Sequence, residues 1–301
     1  MSISVAEAAQ KWGISERRVR ELCAKGRIAG AHRDGRAWRV PAEAVKPLDA
    51  RRSDLPSLID LVHQKKARLD ALRPLTPGEA RRLMQEFVVE FTYNSNAIEG
   101  NTLTLRETGL VLQGITVGKK PLRDHLEAVG NRDAFEYVCE LVRDGTPLTQ
   151  WVIREVHQLV LADKPRDRGV YRTIPVRISG ALHEPVEPAL IESGMAELLA
   201  WYEADDGDLV ARLARFHVEF ETIHPFVDGN GRTGRLLVNL ELMKAGYPPI
   251  DIKYADRAAY LEAFDGYHSG RDPQAMERLF ARYLDERLTY YLEVLGGADQ
   301  P

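Results

Sequence analysis

The sequence predicts a mainly α-helical protein preceded by a small N-terminal domain of two short helices and a hairpin. Apolar residues recur at helical spacing through most of the chain after residue 57, and only one later segment has the alternation and central turn of a β-hairpin. A glycine-rich and charged stretch, residues 224–235, separates two apolar helices. These observations indicate a helical body that carries one loop-based site.

Residues 1–48 have the pattern of a winged helix-turn-helix. Ser4 followed by Glu7 predicts a capping box for a first helix, and a second helix begins near Ser15. The turn Asp34-Gly35 predicts a basic hairpin, the wing. The segment resembles the excisionase or MerR-like class of DNA-binding modules. Its DNA-binding candidates lie at the start of the second helix and in the wing: Arg17, Arg18, Arg20 and Arg36.

The charge distribution separates this domain from the rest of the chain. The net charge is −4, yet residues 1–52 hold 12 Lys and Arg against 6 Asp and Glu, which leaves an excess of about ten negative charges in the remainder. A basic front on an acidic body predicts two modules with different partners, and DNA is the expected partner of the first. The alternative is a protein-interaction or structural module with a solvated basic face.

The bulk composition is that of an ordinary globular protein, with 44% hydrophobic and 29% charged residues. We find neither an apolar run of about eighteen residues nor a signal-peptide pattern, so we expect a cytoplasmic protein without a membrane partner. Cys23 and Cys139 are expected to be free thiols.

The body contains a series of helix patterns and one hairpin. Residues 49–75 are expected to form a linker and a connecting helix, and residues 76–296 the main domain. Helices are predicted at about 79–99, 106–112, 122–142, 149–161, 188–204, 209–223, 256–265 and 272–295. The hairpin spans Ile174 to Val186, where Pro175 and Pro185 suit exposed edges.

Glu99 lies at the C-terminal end of the helix over residues 79–99, which Gly100 is expected to cap. A carboxylate there faces the negative end of the helix dipole, which is unfavourable without a cation from elsewhere. We therefore expect an arginine partner for Glu99. The alternative is a solvated acid at the helix end.

The stretch from His224 to Arg235 combines an imidazole, a carboxylate, three glycines and two guanidinium groups. Glycines let backbone N–H groups approach a ligand, and a helix N-terminus favours anions. Arginines suit phosphate oxygens, and an acid among them can hold a bridging Mg²⁺ ion. The stretch therefore predicts a site for a nucleotide phosphate chain, with His224 as a candidate base.

Three other motif interpretations of this stretch fail. Residues 229–234 match G-x-G-x-x-G, but a dinucleotide fingerprint needs a preceding strand, and the run-in over residues 209–216 has helical period. A P-loop would need a Lys-Ser/Thr pair after the glycines. A calcium loop fails because Asp228 is the only acid in the segment.

The same stretch matches every fixed position of the Fic family motif, H-x-F-x-[D/E]-G-N-G-R-x-x-R. Residues 169–172, the hairpin after them and the C-terminal helices are also similar to that family, so the resemblance covers roughly residues 76–290. It implies a Fic-type helical bundle with a small β-hairpin flap. Fic proteins mostly transfer AMP from ATP to a Ser, Thr or Tyr hydroxyl of a target protein and release pyrophosphate.

The resemblance implies a role for each residue of the motif. His224 would be the general base, Asp228 would hold Mg²⁺ on the phosphates, and Phe226 would anchor the loop. The flap, residues 174–186, would clamp a target segment as an added strand. The implied nucleotide-binding residues comprise an anion hole of backbone amides, two phosphate-binding arginines and an adenine-pocket aromatic: Gly229, Asn230, Gly231, Arg232, Arg235 and Tyr260.

Two further positions bear on this resemblance. Ser95-x-x-x-Glu99-Gly100 matches the family's inhibitory motif, [S/T]-x-x-x-E-[G/N], which implies a self-inhibited member in which Glu99 pairs with Arg235 and blocks the γ-phosphate site. His268 stands where relatives often have Asn, and we interpret it as a core or surface histidine.

Several functional alternatives stay open. Some relatives use the inhibitory glutamate to remove AMP, and others transfer phosphate, UMP or phosphocholine, although the intact G-N-G segment favours AMP. A different class of function is a DNA-bound regulator whose Fic body senses nucleotide or modifies its own head. The expected partners are ATP, Mg²⁺, an unidentified target protein (or the chain itself) and DNA, with a homodimer as a further alternative.

Overall fold

The computed structural model describes residues 2–12, 15–24, 28, 30–35, 37–41, 44, 55–72, 77–178 and 183–296. The chain divides into two compact units, Met1–Asp54 and Leu55–Pro301. The helix expected to connect two domains therefore belongs to the second unit.

The first unit has two helices and a three-stranded antiparallel sheet. Its elements in chain order are β1 (Ser2–Ser4), α1 (Val5–Trp12), α2 (Glu16–Ala24), β2 (His32–Asp34) and β3 (Ala37–Pro41). The strand order is β1-β3-β2. The expected hairpin pairs β2 with β3 around Asp34-Gly35, and Gly35 has a positive φ of 61°. Strand β1 was not expected from the sequence, because three residues carry no readable alternation.

Local capping and a small core hold this unit together. The predicted capping box is present: the Glu7 N–H donates to Ser4 Oγ at 3.2 Å, and the Ser4 N–H donates to Glu7 Oε2 at 2.7 Å. Helices α1 and α2 bury one apolar face each against β3, with Ala8, Val19 and Val40 fully buried.

The second unit is a helical bundle. Its helices are α3 (Leu55–Ala71), α4 (Pro77–Ile98), α5 (Leu105–Leu112), α6 (Leu122–Arg143), α7 (Gln150–Val160), α8 (Ile191–Ala204), α9 (Leu209–Ile223), α10 (Asn230–Lys244), α11 (Arg257–His268) and α12 (Ala275–Gly296). Short 3₁₀ turns at Pro188–Leu190 and Tyr254–Asp256 precede α8 and α11. No helix of the described ranges is both long and apolar enough to span a membrane.

Helix α10 is the centre of the bundle. It packs against α4, α6, α7 and α9, so that its apolar residues are buried on all sides, including Leu236, Leu237 and Leu240 at 0% exposure. Helix α3 packs along α12, where Lys65 Nζ contacts Asp285 Oδ1 at 2.5 Å and Thr289 Oγ1 at 2.6 Å. The loop before α10 therefore leads into a helix that is packed on four sides.

The predicted β-hairpin over residues 174–186 differs from the structure. Its described residues, 174–178 and 183–186, belong to no strand, and its expected turn at 179–181, together with residue 182, lies outside the described residues. Pro175 and Pro185 have no N–H to donate, which removes ladder hydrogen bonds from both arms. The buried guanidinium of Arg172 instead holds both ends of this flap by donating to the carbonyl oxygens of Ile174 and Val186.

The close approach of α6 to α7 depends on Gly130. A Cβ built on Gly130 would lie 2.6 Å from the backbone oxygen of Leu159, whereas one on Gly109 in α5 meets only a Val89 methyl at 3.6 Å. We expect Gly130→Ala to lower the free energy of unfolding by about 1–3 kcal/mol through overpacking. The matched change Gly109→Ala should be neutral or stabilising by up to about 1 kcal/mol through helix propensity.

Urea unfolding followed by circular dichroism measures both changes. Equal stabilities of the two variants would contradict the close packing of α6 on α7.

Candidate active site

The loop between α9 and α10 begins with a strained residue, His224. Its φ of 49° and ψ of 60° place it in the left-handed region, where it ends α9 by donating its N–H to Phe220 O at 2.9 Å. Arg172 Nε donates to the carbonyl oxygen of His224 at 2.7 Å and Arg172 Nη2 to that of Ile223 at 3.2 Å. This clamp turns the backbone away from the helix axis and holds the imidazole at the edge of a pocket.

Phe226 anchors the loop in the core. It is fully buried, and its ring stacks face to face on His157 with centroids 3.6 Å apart. The Asn230 amide accepts from the Phe226 N–H and donates to the Phe226 oxygen, both at 2.9 Å. Because the Asn230 side chain is used inside the loop, the group it offers to a ligand is its backbone N–H, in the unpaired first turn of α10.

His157 of α7 supports the loop from below. Its Nδ1 accepts from the Gly169 N–H at 2.9 Å, so Nε2 carries the proton and donates to the Asp228 carbonyl oxygen at 2.9 Å. The side chain is fully buried, and burial lowers the pKa of His157 to about 4. It is therefore a neutral structural group at neutral pH.

Asp228 presents an ionised carboxylate to the pocket. Lys164 Nζ contacts its Oδ2, the Gly229 N–H donates to its Oδ1 at 2.6 Å, and Arg232 Nη2 lies 3.4 Å from Oδ1. Partial burial opposes ionisation, but Lys164 and Arg232 outweigh it and hold the pKa of Asp228 below its usual value. The side chain remains 41% exposed.

This carboxylate suits Mg²⁺ held together with a phosphate chain. The described ranges contain no group of three or more His, Cys, Asp or Glu side chains arranged for a metal ion. Mg²⁺ in nucleotide sites commonly uses one or two carboxylates, water and substrate phosphates instead of a full protein cage. The exposed, ionised oxygen of Asp228 fits that mode of binding.

The two arginines of the motif lie in α10 and are both almost fully buried, but only one of them lines the pocket. Arg232 is 1% exposed and faces Asp228 and, at 3.7 Å, Glu127 Oε1; it does not line the pocket. Arg235 lines the pocket although it is only 3% exposed. The predicted phosphate contact of Arg232 stays a prediction, and in this arrangement its guanidinium supports Asp228.

Arg235 is held by α4. Its Nη2 lies 2.8 Å from both Glu99 Oε1 and Ser95 O, and its Nε donates to Ser95 Oγ at 3.1 Å. The expected pairing of Glu99 with Arg235 is therefore present in the structure. Burial opposes the positive charge, but Tyr260 and Glu99 outweigh it and raise the pKa of Arg235.

The Glu99 carboxylate also lies over the first turn of α10. A Cβ built on Gly231 would lie 2.3 Å from Glu99 Oε1 and 3.0 Å from Arg235 Nη1. Only glycine leaves room for this contact. The position is the positive end of a helix, where an anionic ligand is favoured, so the carboxylate occupies an anion site.

The end of α4 places Glu99 there through a Schellman cap. The Asn101 N–H donates to Asn96 O at 3.1 Å and the Gly100 N–H to Ala97 O at 3.0 Å, with Gly100 at a φ of 95°. Arg257 Nε donates to the Ile98 oxygen at 2.8 Å from the start of α11. At the C-terminal end of α4, the Arg257 guanidinium therefore binds the carbonyl group of Ile98, and the Glu99 carboxylate is paired with Arg235.

Tyr260 lies beside Arg235. It is 2% exposed, its hydroxyl is 2.7 Å from His217 Nε2, and Arg235 Nη1 lies 3.3 Å from that hydroxyl. The adenine-pocket role expected for Tyr260 stays a prediction, and the structure shows a contact to the guanidinium. His268 Nε2 lies 3.1 Å from Thr222 Oγ1, and its ring stacks on that of His183 at 3.9 Å.

A pocket of about 340 Å³ brings these groups together. This volume is within the usual range for small-molecule sites. Its walls come from the end of α4, the loop before α10, helix α11 and the flap. Of the expected site residues, those lining it are Glu99, His224, Asp228, Gly229, Asn230, Gly231, Arg235 and Tyr260.

Comparison with known proteins identifies the family. The model of the Fic/DOC family matches residues 147–242, and that of a helix-turn-helix domain matches residues 3–46. A Fic domain containing signaling protein from Bacteroides thetaiotaomicron superposes with a TM-score of 0.72 and 31% identity, over 80% of this chain and 97% of that one. The chain belongs to the Fic family.

Curated Fic relatives are similar over most of this chain. "Protein adenylyltransferase Fic" of Nematostella vectensis is 33% identical over 241 residues, 78% of this chain and 56% of that protein. "Protein adenylyltransferase fic-1" of Caenorhabditis elegans is 31% identical over 257 residues, 81% of this chain and 50% of that protein. The chain thus spans about half the length of the curated relatives it matches.

The helix-turn-helix domain carries the DNA-binding candidates. Arg17 is exposed on α2, and Arg20 pairs with Glu16 at 2.5 Å on the same helix. The side chain of Arg18 and the whole of Arg36 lie outside the described residues.

Several residues that support the Fic loop were missed by sequence reasoning: His157, Lys164, Arg172 and Glu221. Two of them carried a readable signal, since His157 and Glu221 interrupt the apolar faces of α7 and α9. A polar residue on a core face requires a partner, which here is the loop. Lys164 carried no such signal, because it is a half-exposed lysine 64 positions from Asp228.

The buried neutral state of His157 makes stability depend on pH. The unfolded chain binds a proton to this residue below pH 6.5, whereas the folded protein does so only near pH 4. The free energy of unfolding should therefore fall as the pH is lowered through this window, by up to about 1.4 kcal/mol per pH unit from His157. In His157→Phe, which retains an aromatic ring on Phe226, that part of the slope should be absent.

Urea unfolding of both proteins at a series of pH values between 4 and 7 measures the slopes. His217, whose pKa burial lowers to about 3, contributes equally to both proteins and serves as an internal reference. Parallel slopes would show that His157 is not a buried neutral group.

Proposed function

We propose that this protein transfers AMP from ATP to a hydroxyl group of a protein side chain and is held inactive by Glu99. The observation that carries the proposal is one pocket that joins His224, Asp228, the glycine-rich start of α10 and Arg235. Proteins named adenylyltransferases align over about four fifths of the chain, which supports the reaction class.

The loop offers the groups that nucleotidyl transfer requires. In this reaction a bond forms between the target hydroxyl oxygen and the α-phosphorus, the bond to the bridging oxygen of the β-phosphate breaks, and pyrophosphate leaves with the electron pair. His224 takes the hydroxyl proton as general base. The N–H groups at the start of α10 bind the developing charge on the phosphate oxygens, and Arg235 binds the γ-phosphate.

Asp228 would hold Mg²⁺ against the phosphates, where the ion would supply charge neutralisation. Lys164 forms an ion pair with this carboxylate, so the positive charge beside Asp228 in this structure is a lysine side chain. The flap would present the target segment to His224, and its ends are fixed to the loop by Arg172.

The position of Glu99 supports the inhibitory part of the proposal. Its carboxylate contacts Arg235 and covers Gly231, so it takes the two contacts that a γ-phosphate would use. Like charges cannot share this site without a large cost. ATP would therefore bind productively only after Glu99 has moved away.

A second candidate reaction is the removal of AMP from a modified protein. Glu99 lines the same pocket as His224 and is 39% exposed on its side chain, so it can contact a water molecule beside the loop. In the removal of AMP the Glu99 carboxylate would orient the attacking water. Glu99 would then both inhibit AMP transfer and assist AMP removal.

The change Glu99→Gly tests the main proposal. Purified wild-type protein and variant are incubated with α-labelled ATP and Mg²⁺ in a cell lysate. We expect the variant to label itself or other proteins at least about tenfold more strongly than the wild type, because Arg235 and the anion site are freed. Glu99→Gly/His224→Ala, which lacks the base, should show no labelling.

The controls separate the alternatives. Labelling with γ-labelled ATP would indicate phosphate transfer, and ATP binding without any labelled protein would favour a nucleotide-sensing regulator. Loss of label from a modified protein only when Glu99 is present would establish the reverse reaction. If Glu99→Gly binds ATP but labels nothing, the transferase proposal is wrong.

For the first unit we propose DNA binding. We also propose the domain bounds: residues 1–48 as a winged helix-turn-helix, 49–75 as linker and connecting helix, and 76–296 as the Fic domain. The two-helix arrangement with a wing and the match to a helix-turn-helix model support this assignment. Exposed Arg17 lies in the first turn of α2, where a recognition helix meets DNA.

Neutralising α2 tests this assignment. We expect Arg17→Gln/Arg20→Gln to weaken binding to a random-sequence duplex by about tenfold or more at about 50 mM salt, because lost phosphate contacts release fewer counterions. Arg82→Gln/Arg143→Gln, which removes two exposed charges from the second unit, is the matched control. Equal gel shifts for the two variants would exclude α2 as a DNA-binding helix.

A further inference from the structure

The imidazole of His224 contacts a carboxylate that the Fic motif does not contain. His224 Nδ1 lies 3.5 Å from Glu221 Oε2 and 3.3 Å from the Glu221 carbonyl oxygen. Glu221 precedes His224 by three residues in the last turn of α9. Both of its acceptors face the same ring nitrogen, and Glu221 also lines the pocket.

Glu221 occupies an unfavourable place for an acid. Glu221 is only 8% exposed, and it lies at the C-terminal end of α9, where the helix dipole is negative. Its Oε1 has no hydrogen-bond partner among the described residues. A buried carboxylate in this position is costly unless a positive charge faces it. His224 is a neighbour that would gain such a charge when it accepts the hydroxyl proton in the proposed reaction.

The neighbouring helix is adapted to the presence of this carboxylate. A Cβ built on Gly234 would lie 3.0 Å from Glu221 Oε1 and 2.9 Å from two atoms of the His217 ring. The absence of a side chain at Gly234 therefore leaves room for the acid between α9 and α10. The packing of α10 and the position of the acid are consistent with each other.

We propose that Glu221 is a positioning residue for His224. Its carbonyl oxygen accepts the hydrogen bond from Nδ1–H, which selects the tautomer whose unprotonated Nε2 faces the target hydroxyl, and its carboxylate lies 3.5 Å from the same nitrogen. When Nε2 takes the hydroxyl proton, the same carboxylate stabilises the imidazolium. This arrangement has the logic of a base oriented by a third group. It rests on the proposed transfer reaction for its catalytic consequence, but the tautomer itself does not.

Other charged and titratable groups also surround His224. They are Asp228 in its own loop, Arg235 on α10, Glu99 at the end of α4, Asp265 and His268 on α11, His183 in the flap and Arg172, which contacts the His224 carbonyl. Of these elements, α9 supplies the described contacts of the imidazole nitrogen through Glu221. Glu221 is therefore the residue whose substitution tests how the His224 ring is oriented and its charge stabilised.

The kinetic test compares variants in the Glu99→Gly protein. Glu221→Gln keeps the size of the side chain and removes the charge; Glu219→Gln, on the same helix with its carboxylate on the Tyr267 hydroxyl, is the matched control. We expect Glu221→Gln to lower kcat about 10- to 100-fold with little change in KM for ATP.

Glu221→Asp, which restores a carboxylate, should recover part of kcat. It also serves as the second variant if Glu221→Gln does not fold, as judged by circular dichroism. A kcat equal to that of Glu219→Gln would overturn the proposal.

A spectroscopic test does not depend on transferase activity. Long-range proton–nitrogen correlation spectra of protein labelled with ¹⁵N-histidine report the tautomer of each ring, and His224→Gln identifies the His224 signals. We expect the Nδ1–H tautomer of His224 in the unmodified protein. An Nε2–H tautomer would refute the assignment. If Glu99→Gly labels nothing, the transfer reaction is wrong, and this measurement still tests the contact between Glu221 and the His224 ring.

Discussion

The candidate active site depends on keeping one buried charge, the guanidinium of Arg235, paired with anionic or polar groups. Arg235 is 3% exposed, and a charge at that depth needs partners for its N–H groups. Three residues on two elements supply them: Ser95 and Glu99 from the end of α4 and Tyr260 from α11. Only the Glu99 contact is with a half-exposed side chain, so it is the partner that a ligand phosphate can replace without rebuilding the core.

The loop before α10 is held so that its strain persists. His224 adopts a left-handed backbone that costs a residue with a Cβ about 1 kcal/mol or more. Arg172 binds its carbonyl group, Asn230 closes the next turn on Phe226, and His157 fixes the Asp228 carbonyl. These contacts come from three separate parts of the chain. The loop geometry is therefore determined by the bundle, and removing one contact leaves the others in place.

The sequence allowed the helices, the capping of α1, the wing and the motif loop to be predicted because their determinants are local. The Glu99–Arg235 pair, 136 positions apart, was predicted only because a carboxylate at a helix C-terminus requires a cation and the family motif named one. Lys164 and Arg172 have no comparable local signature, because the loop groups that they contact lie more than 50 positions away in the sequence. The flap was predicted as strands from its alternation, but its two prolines remove the donors that a ladder requires.

Competition at Arg235 has a consequence for regulation under the proposed function. If ATP and Glu99 exclude each other, then anything that stabilises the docked end of α4 weakens productive ATP binding by the same factor, and ATP weakens that docking in return. The docked end is held by Arg257 on the Ile98 carbonyl and by the cap at Gly100 as well as by Arg235. Weakening the contact between Arg257 and the Ile98 carbonyl would therefore raise the proposed transferase activity without any change in the loop. Under the proposed function, the inhibitory strength would reside in the whole end of α4, of which the Glu99 carboxylate is the part that reaches Arg235.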